Sequence, residues 1–151
     1  MEQFVVSHFE KGAVYTRSQI REVLGGSVRA ALPTCRGRVV CACLTHERNP
    51  RAPQEMLVGN VERAVRLARV FAASGEAVPV FVRVRSGGWE YAGARRVRAM
   101  IDDPGALLAL VAEGAPPDVA AALQLEEVAV AGIAVARCAS QPQPLPAAAG
   151  D

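Results

Sequence analysis

Histidine occurs only twice in these 151 residues, tryptophan once and lysine once, and each scarcity closes off a class of chemistry. With His8 and His46 as the sole imidazoles and no Gly-x-Ser-x-Gly elbow, a nucleophile–base pair for acyl transfer has little to draw on. The four cysteines, Cys35, Cys41, Cys43 and Cys138, form no Cys-x-x-Cys pair, which is poor spacing for zinc. No Gly-x-x-x-x-Gly-Lys-Ser and no Gly-x-Gly-x-x-Gly occurs, so neither phosphate-binding loop is present. The residues therefore point to no catalytic group, no metal and no cofactor, and predict a chain that is not an enzyme. Apolar runs are short and broken by Gly, Pro or Arg, which predicts no membrane span. The first residues lack a basic n-region and a long apolar stretch, so a cytoplasmic location is expected. Cys41 and Cys43 alternate along a strand-like run and are expected to be buried, reduced thiols, in keeping with that compartment.

What is present suits a globular fold. A hydrophobic fraction of 51% with 21% charge supplies a core, and the length fits one domain, read as residues 1–139. The proline- and alanine-rich residues 140–151 are read as a disordered tail. Thr16-Arg-Ser-Gln19 reads as a capping box opening a helix that Gly25-Gly26 stops. Arg38 to Thr45 is apolar enough for a central strand covered on both faces, and His46 to Pro53 is an irregular loop. After a short strand at Met56–Val58, Asn60 is expected to cap a helix running to Ala73, with Arg63, Arg66 and Arg69 on its exposed side. Asp102 or Asp103 caps a helix with Pro104 at its first position. Pro117-Asp118 is read as opening a further helix through Leu123, and residues 126–137 as a closing strand or hairpin.

A net charge of +2 argues for no partner by itself, so the distribution of charge must carry the argument. The segment Val78 to Arg98 holds five basic residues, the single tryptophan and a tyrosine, and Gly87-Gly88 folds it into a β-hairpin. Aromatic rings interleaved with arginines are the composition of many nucleic-acid surfaces. Two readings of the rings stand side by side. Trp89 and Tyr91 share one face and either stack bases or pack into the core. In the second case Arg96 and Arg98, with Arg83, Arg85 and the helix arginines, face outward as a phosphate-contacting surface. Arg48 and Asn49 in the polar loop either read base edges or are simply solvated. Tyr15 and Arg17 either touch nucleic acid or, respectively, pack over the sheet and face solvent.

Taken together, Tyr15-Thr-Arg17, Ile20, Gly25-Gly26, Gly59-Asn60 with its following helix, Val80-Phe81 and Trp89-Glu-Tyr91-Ala-Gly93 resemble a family in their order. It is that of the small β-rich modified-DNA readers of restriction systems, the sulfur-recognising domains related in architecture to SRA and PUA-like folds. The resemblance covers Val14 to Val97. It implies a twisted, barrel-like sheet flanked by helices that binds duplex DNA and inspects a modified base or backbone position. The aromatic and proline-lined pocket of that family is not legible here, nor is the His-Asn-His nuclease often fused to such readers, so a separate nuclease or other protein partner is implied.

The expected fold is α+β: a curved, mainly antiparallel, barrel-like sheet of about five or six strands with two to four short helices. The expected function is nucleic-acid binding without catalysis, with DNA, modified or not, as partner and no membrane. Its candidate site residues are Tyr15, Arg17, Arg48, Asn49, Arg83, Arg85, Trp89, Tyr91, Arg96 and Arg98. The alternative is a protein-interaction or homo-oligomeric assembly module, motivated by the Val-rich strand edge and the tail.

Overall fold

The computed structural model describes residues 4–5, 9–129 and 135–136. The elements are β1 (Phe4–Val5), β2 (Val14–Tyr15), α1 (Arg17–Leu24), β3 (Thr34–Cys35), β4 (Arg38–Val39), β5 (Ala42–Leu44) and β6 (Glu55–Gly59). They continue with α2 (Glu62–Ser74), β7 (Val78–Arg83), β8 (Trp89–Ile101), α3 (Pro104–Ala112), β9 (Val119–Glu127) and β10 (Val135–Ala136). The main sheet runs β5-β7-β8-β9-β6, with β2 added along β8. All its pairings are antiparallel except β5 with β7. Register shifts at Val58/Gly59, Pro79/Phe81 and Val97/Ala99 mark bulges, which bend strands and raise their twist. The sheet curls into a half-barrel with three helices. This is the α+β, curved-sheet fold expected.

Two cores lie on opposite faces of the sheet. Ala42 and Leu44 alternate with Cys41 and Cys43 along and beside β5, and Val80 and Val82 alternate with Phe81 along β7. The first set packs with Ala68 and Phe71 of α2, the second with Ile20 and Leu24 of α1. A period-two strand covered by a helix on each side must be apolar at every position, and β5 and most of β7 are buried throughout. Burying a side chain as large as Phe71 or Phe81 contributes about 1.5–3 kcal/mol each. The hairpin turn uses Gly87 at φ 92°, and a Cβ on Gly88 would overlap Val14, so glycine there lets β2 lie against β8.

Local signals held where they specify backbone bonds. The Thr16 hydroxyl accepts from the Gln19 amide at 3.0 Å while the Gln19 side chain accepts from the Thr16 amide at 2.8 Å. Asp103 caps α3 by accepting from the Ala106 amide at 2.9 Å, with Pro104 as the first helical residue.

Other expectations are corrected. The segment Pro117–Leu123 opens no helix: residues 119–127 are strand β9, hydrogen-bonded to both β6 and β8, with Ala121, Ala122 and Leu123 fully buried. The strand at 38–45 is split into β4 and β5, and β5 ends the sheet path instead of lying at its centre. Its outer edge is covered by the preceding chain, with the Cys43 amide donating to the Ala31 carbonyl at 2.8 Å and Val40 to Pro33 at 2.9 Å. Asn60 does not cap α2; Val61 holds that position and contributes no side-chain bond. Cys41 and Cys43 are buried free thiols as expected, whereas Cys35 is disulfide-bonded. The tail at 140–151 and half of the expected closing strand, residues 130–134 and 137, lie outside the described residues.

Candidate nucleic-acid interface

A cleft of about 640 Å³ opens where the start of α1, the 28–32 segment, the loop after β5, β6, the start of α2 and the end of the β7–β8 hairpin meet. Five arginines line it, Arg17, Arg29, Arg48, Arg63 and Arg83, against one carboxylate, Asp118. Its floor is apolar, built from Leu32, Cys43, Met56 and Val58. Excess charge over a low-dielectric floor strengthens attraction for an anion, because field lines are less screened there than in open water.

Each arginine reaches the cleft by a different route. Arg17, the first residue of α1, donates to the carbonyls of Ser27 at 3.0 Å and Ala30 at 2.8 Å, and its guanidinium carbon lies 5.1 Å from the centre of the Trp89 ring. That cation–π contact contributes about 0.5–1 kcal/mol at a half-exposed site. Arg48 pairs with Asp118 at 3.3 Å, both half-exposed. Arg83 is the cross-strand neighbour of Trp89, which sets it at the cleft's mouth. Arg63 projects from the first turn of α2. Among the described residues Arg29, Arg63 and Arg83 have no carboxylate partner, so their donors are open to a ligand.

The candidate residues from sequence divide into two groups. Arg17, Arg48, Asn49, Arg83 and Trp89 converge on this cleft. Asn49 does so as a brace: 5% exposed, it accepts from the Leu57 amide at 2.7 Å and donates to the Thr45 carbonyl at 3.1 Å, which ties the loop to β6. Its side-chain amide bonds backbone through both its oxygen and its nitrogen. Tyr15 and Tyr91 belong to an aromatic cluster with Phe9 and Phe81, ring centroids 5.0–6.2 Å apart. The Tyr15 hydroxyl accepts from the Glu10 amide at 2.8 Å, and Tyr91 is 4% exposed, with burial first and Glu127 second raising its pKa. Arg85 lies in a neighbouring cleft. Arg96 pairs with Glu126, and Arg98 donates to Gln124 at 2.6 Å, both toward β9 and away from the hairpin turn.

Sequence reasoning left Arg29 and Asp118 out of the site altogether. Arg63 was legible as one of the helix arginines of an outward phosphate-contacting surface, but not as a member of this cleft. Cys43, 3% exposed in the cleft floor, is lowered in pKa by the hydrogen bond it shares with Cys41, against burial, and Arg17 adds to the lowering. That same bond, with burial, pushes Cys41 well up. Among the described residues no group of three His, Cys, Asp or Glu side chains is placed to hold a metal ion, and no helix is long and apolar enough to cross a membrane.

The class defined by this geometry is a curled α+β half-barrel with a cationic cleft at its hairpin end. Among solved structures it is similar to a modification-dependent TagI restriction endonuclease, with a TM-score of 0.54 and 13% identity, covering 84% of this chain and 52% of that one. At that identity the likeness is one of fold, and this chain spans about half the neighbour's length. It agrees with the restriction-related resemblance at that coarse level. No model of a known protein family matches the chain, and no curated protein does. The expectation that the chain is not an enzyme is corrected: the neighbour sharing its fold is named an endonuclease, so the lack of a legible catalytic motif does not set the chain apart from enzymes.

Proposed function

We propose that this chain is a DNA-recognition module that grips the duplex backbone at the arginine-lined cleft and inspects a modified position there. The observation that carries this reading is the convergence of five arginines and Trp89 on one cleft with a single carboxylate. Arginine suits the task because its planar fork donates two parallel hydrogen bonds to phosphate oxygens. Arg29, Arg63 and Arg83 would take phosphates. Arg17, held by two carbonyls and the indole, would fix the wall against which the inspected group is read. The neighbour's name, a modification-dependent restriction endonuclease, supports DNA as the partner and a modification as the feature read.

Because such contacts release condensed counterions, affinity for a duplex should fall steeply with salt, the slope of log K against log salt being roughly −0.9 per phosphate neutralised. The test is fluorescence anisotropy with matched duplexes, unmodified and carrying base or backbone modifications, at low and moderate salt. Absence of binding to every duplex at low salt would falsify the proposal; equal affinity for all of them would remove the reader and leave a backbone binder.

A second reading, as a protein-interaction module, is favoured by α3. This helix is apolar along Leu107, Leu108, Leu110 and Val111, yet none of its residues is buried and Leu108 is 72% exposed. It would suit a protein partner, a nuclease subunit or a second copy. Light scattering after size exclusion, with Leu108→Glu as comparison, tests self-association.

A further inference from the structure

Beside the first cleft and sharing Arg83 with it lies a second, of about 630 Å³, whose lining includes Lys11, His46, Arg83, Arg85, Glu90 and Arg95. Arg95 is the unusual member. It is 8% exposed, yet its guanidinium is loosely held: one nitrogen donates to the Leu125 carbonyl at 3.4 Å, another lies 3.6 Å from Glu127, and Nε has no hydrogen-bond partner. The other oxygen of that carboxylate is taken by Lys11 at 2.7 Å, so Glu127 is shared between two cations. The same carboxylate rests over Gly93, where a Cβ would come within 2.7 Å of it, so the backbone at φ 95° is shaped around this arrangement. A buried cation with five donors and only long contacts is normally given stronger partners, since its hydration has been stripped away.

We infer that this second cleft is a binding subsite for a phosphate-class oxyanion, with Arg95 at its base and Lys11 and Arg85 at its mouth. The acids that face it are Glu90 in the lining and Glu127 on Lys11 and Arg95. Against them stand Lys11, Arg83, Arg85 and Arg95, an excess that a doubly charged oxyanion matches in sign. A tetrahedral oxyanion offers several acceptor oxygens at once, which suits a guanidinium fork whose present contacts are long. The phosphate is either a backbone group of a duplex lying across Arg83 or a free phosphate or nucleotide, and the chemistry is the same.

The test is titration of the full chain with inorganic phosphate, following the Arg95 Nε–Hε resonance by NMR. A saturable downfield shift is expected, lost in Arg95→Gln, with affinity lowered roughly tenfold in Arg85→Ala, which removes one charge-assisted contact. Arg69→Ala, on the exposed side of α2 and lining neither cleft, should leave it unchanged. Because Arg95→Gln alters a buried group, the exposed Arg85→Ala carries the decision if the first fails to fold. A shift that does not saturate, or one untouched by Arg85→Ala, overturns the subsite. At constant ionic strength, competition between duplex and phosphate that disappears in Arg85→Ala assigns it to nucleic-acid backbone; simultaneous binding assigns it to a free ligand. Since the titration needs no DNA, its failure and that of DNA binding are separate results.

Discussion

The hairpin end and the far end of β8 carry arginines on one continuous strand pairing, and they have come to opposite electrostatic ends. Arg83, beside Trp89, has no carboxylate partner among the described residues and faces the cleft. Arg96 and Arg98, on β8, meet Glu126 and Gln124 across the strand pair. The difference teaches that usable positive charge belongs to a pairing and not to a composition: β9 brings acids to one end of β8, while β2 and the α1 cap flank the other.

The largest expected effect would break the comparison outright if it failed. Replacing Arg29, Arg63 and Arg83 together by alanine should weaken duplex binding at low salt by about 100-fold, about 2.7 kcal/mol, and flatten the salt slope by roughly 2 to 3. Arg96→Ala with Arg98→Ala should change affinity by no more than about threefold, because those side chains already have partners. Anisotropy titrations on the two variants decide it, and similar losses in both would erase the distinction between the two ends.

Next in size is a contrast within one loop. Asn49→Ala removes the acceptor for a buried amide and should cost about 2 kcal/mol of stability by urea unfolding, whereas the adjacent Arg48→Ala should cost less than about 1 kcal/mol. Equal losses would mean that Arg48 also braces the fold. At the far end of β8, Arg96→Ala should lower stability by no more than about 0.5–1 kcal/mol, since its pair with Glu126 is largely in solvent. A larger loss would make that end structural in a way its exposure does not suggest.

The smallest effect is one of pH. The hydrogen bond from Lys11 holds the Glu127 carboxyl below its ordinary value; burial opposes it, and the charges of Lys11 and Arg95 add to the lowering less strongly. A depressed carboxylate contributes stability above its unfolded pKa, and that contribution is lost as pH falls through the folded value. Urea midpoints should therefore show Lys11→Met slightly less stable than the parent at neutral pH, by no more than about 0.5 kcal/mol for so exposed a pair, with the gap closing in acid. A gap that widened in acid would contradict the sign.

How much was legible beforehand follows from the range over which each residue acts. Thr16, Gln19, Asp103 and Pro104 act on amides within a turn, and their helices stand where the sequence puts them. Ala120 to Leu123 shows the opposite case: alanine favours helix in isolation, but pairing with both β6 and β8 makes a strand of it. The site followed the same division. Trp89 and Arg83 could be grouped from the hairpin, and Arg17 from its helix start. Arg29 and Asp118, far away in sequence, join them only once the sheet has curled, and the burial of Asn49 depends on an amide eight residues on. Nothing within a short window distinguishes Arg83 from Arg96.

The contacts of Arg17 have a further consequence. Joined to two carbonyls of the 27–30 segment and lying over an indole, it holds three separate pieces of chain in register before anything binds. On the proposed function, a wall already immobilised would lose little conformational freedom on complex formation, and discrimination there would rest on fit instead of on the wall closing around whatever arrives. Such a wall would tolerate few shapes, so that a single added or missing substituent on the group it met would become a difference in affinity.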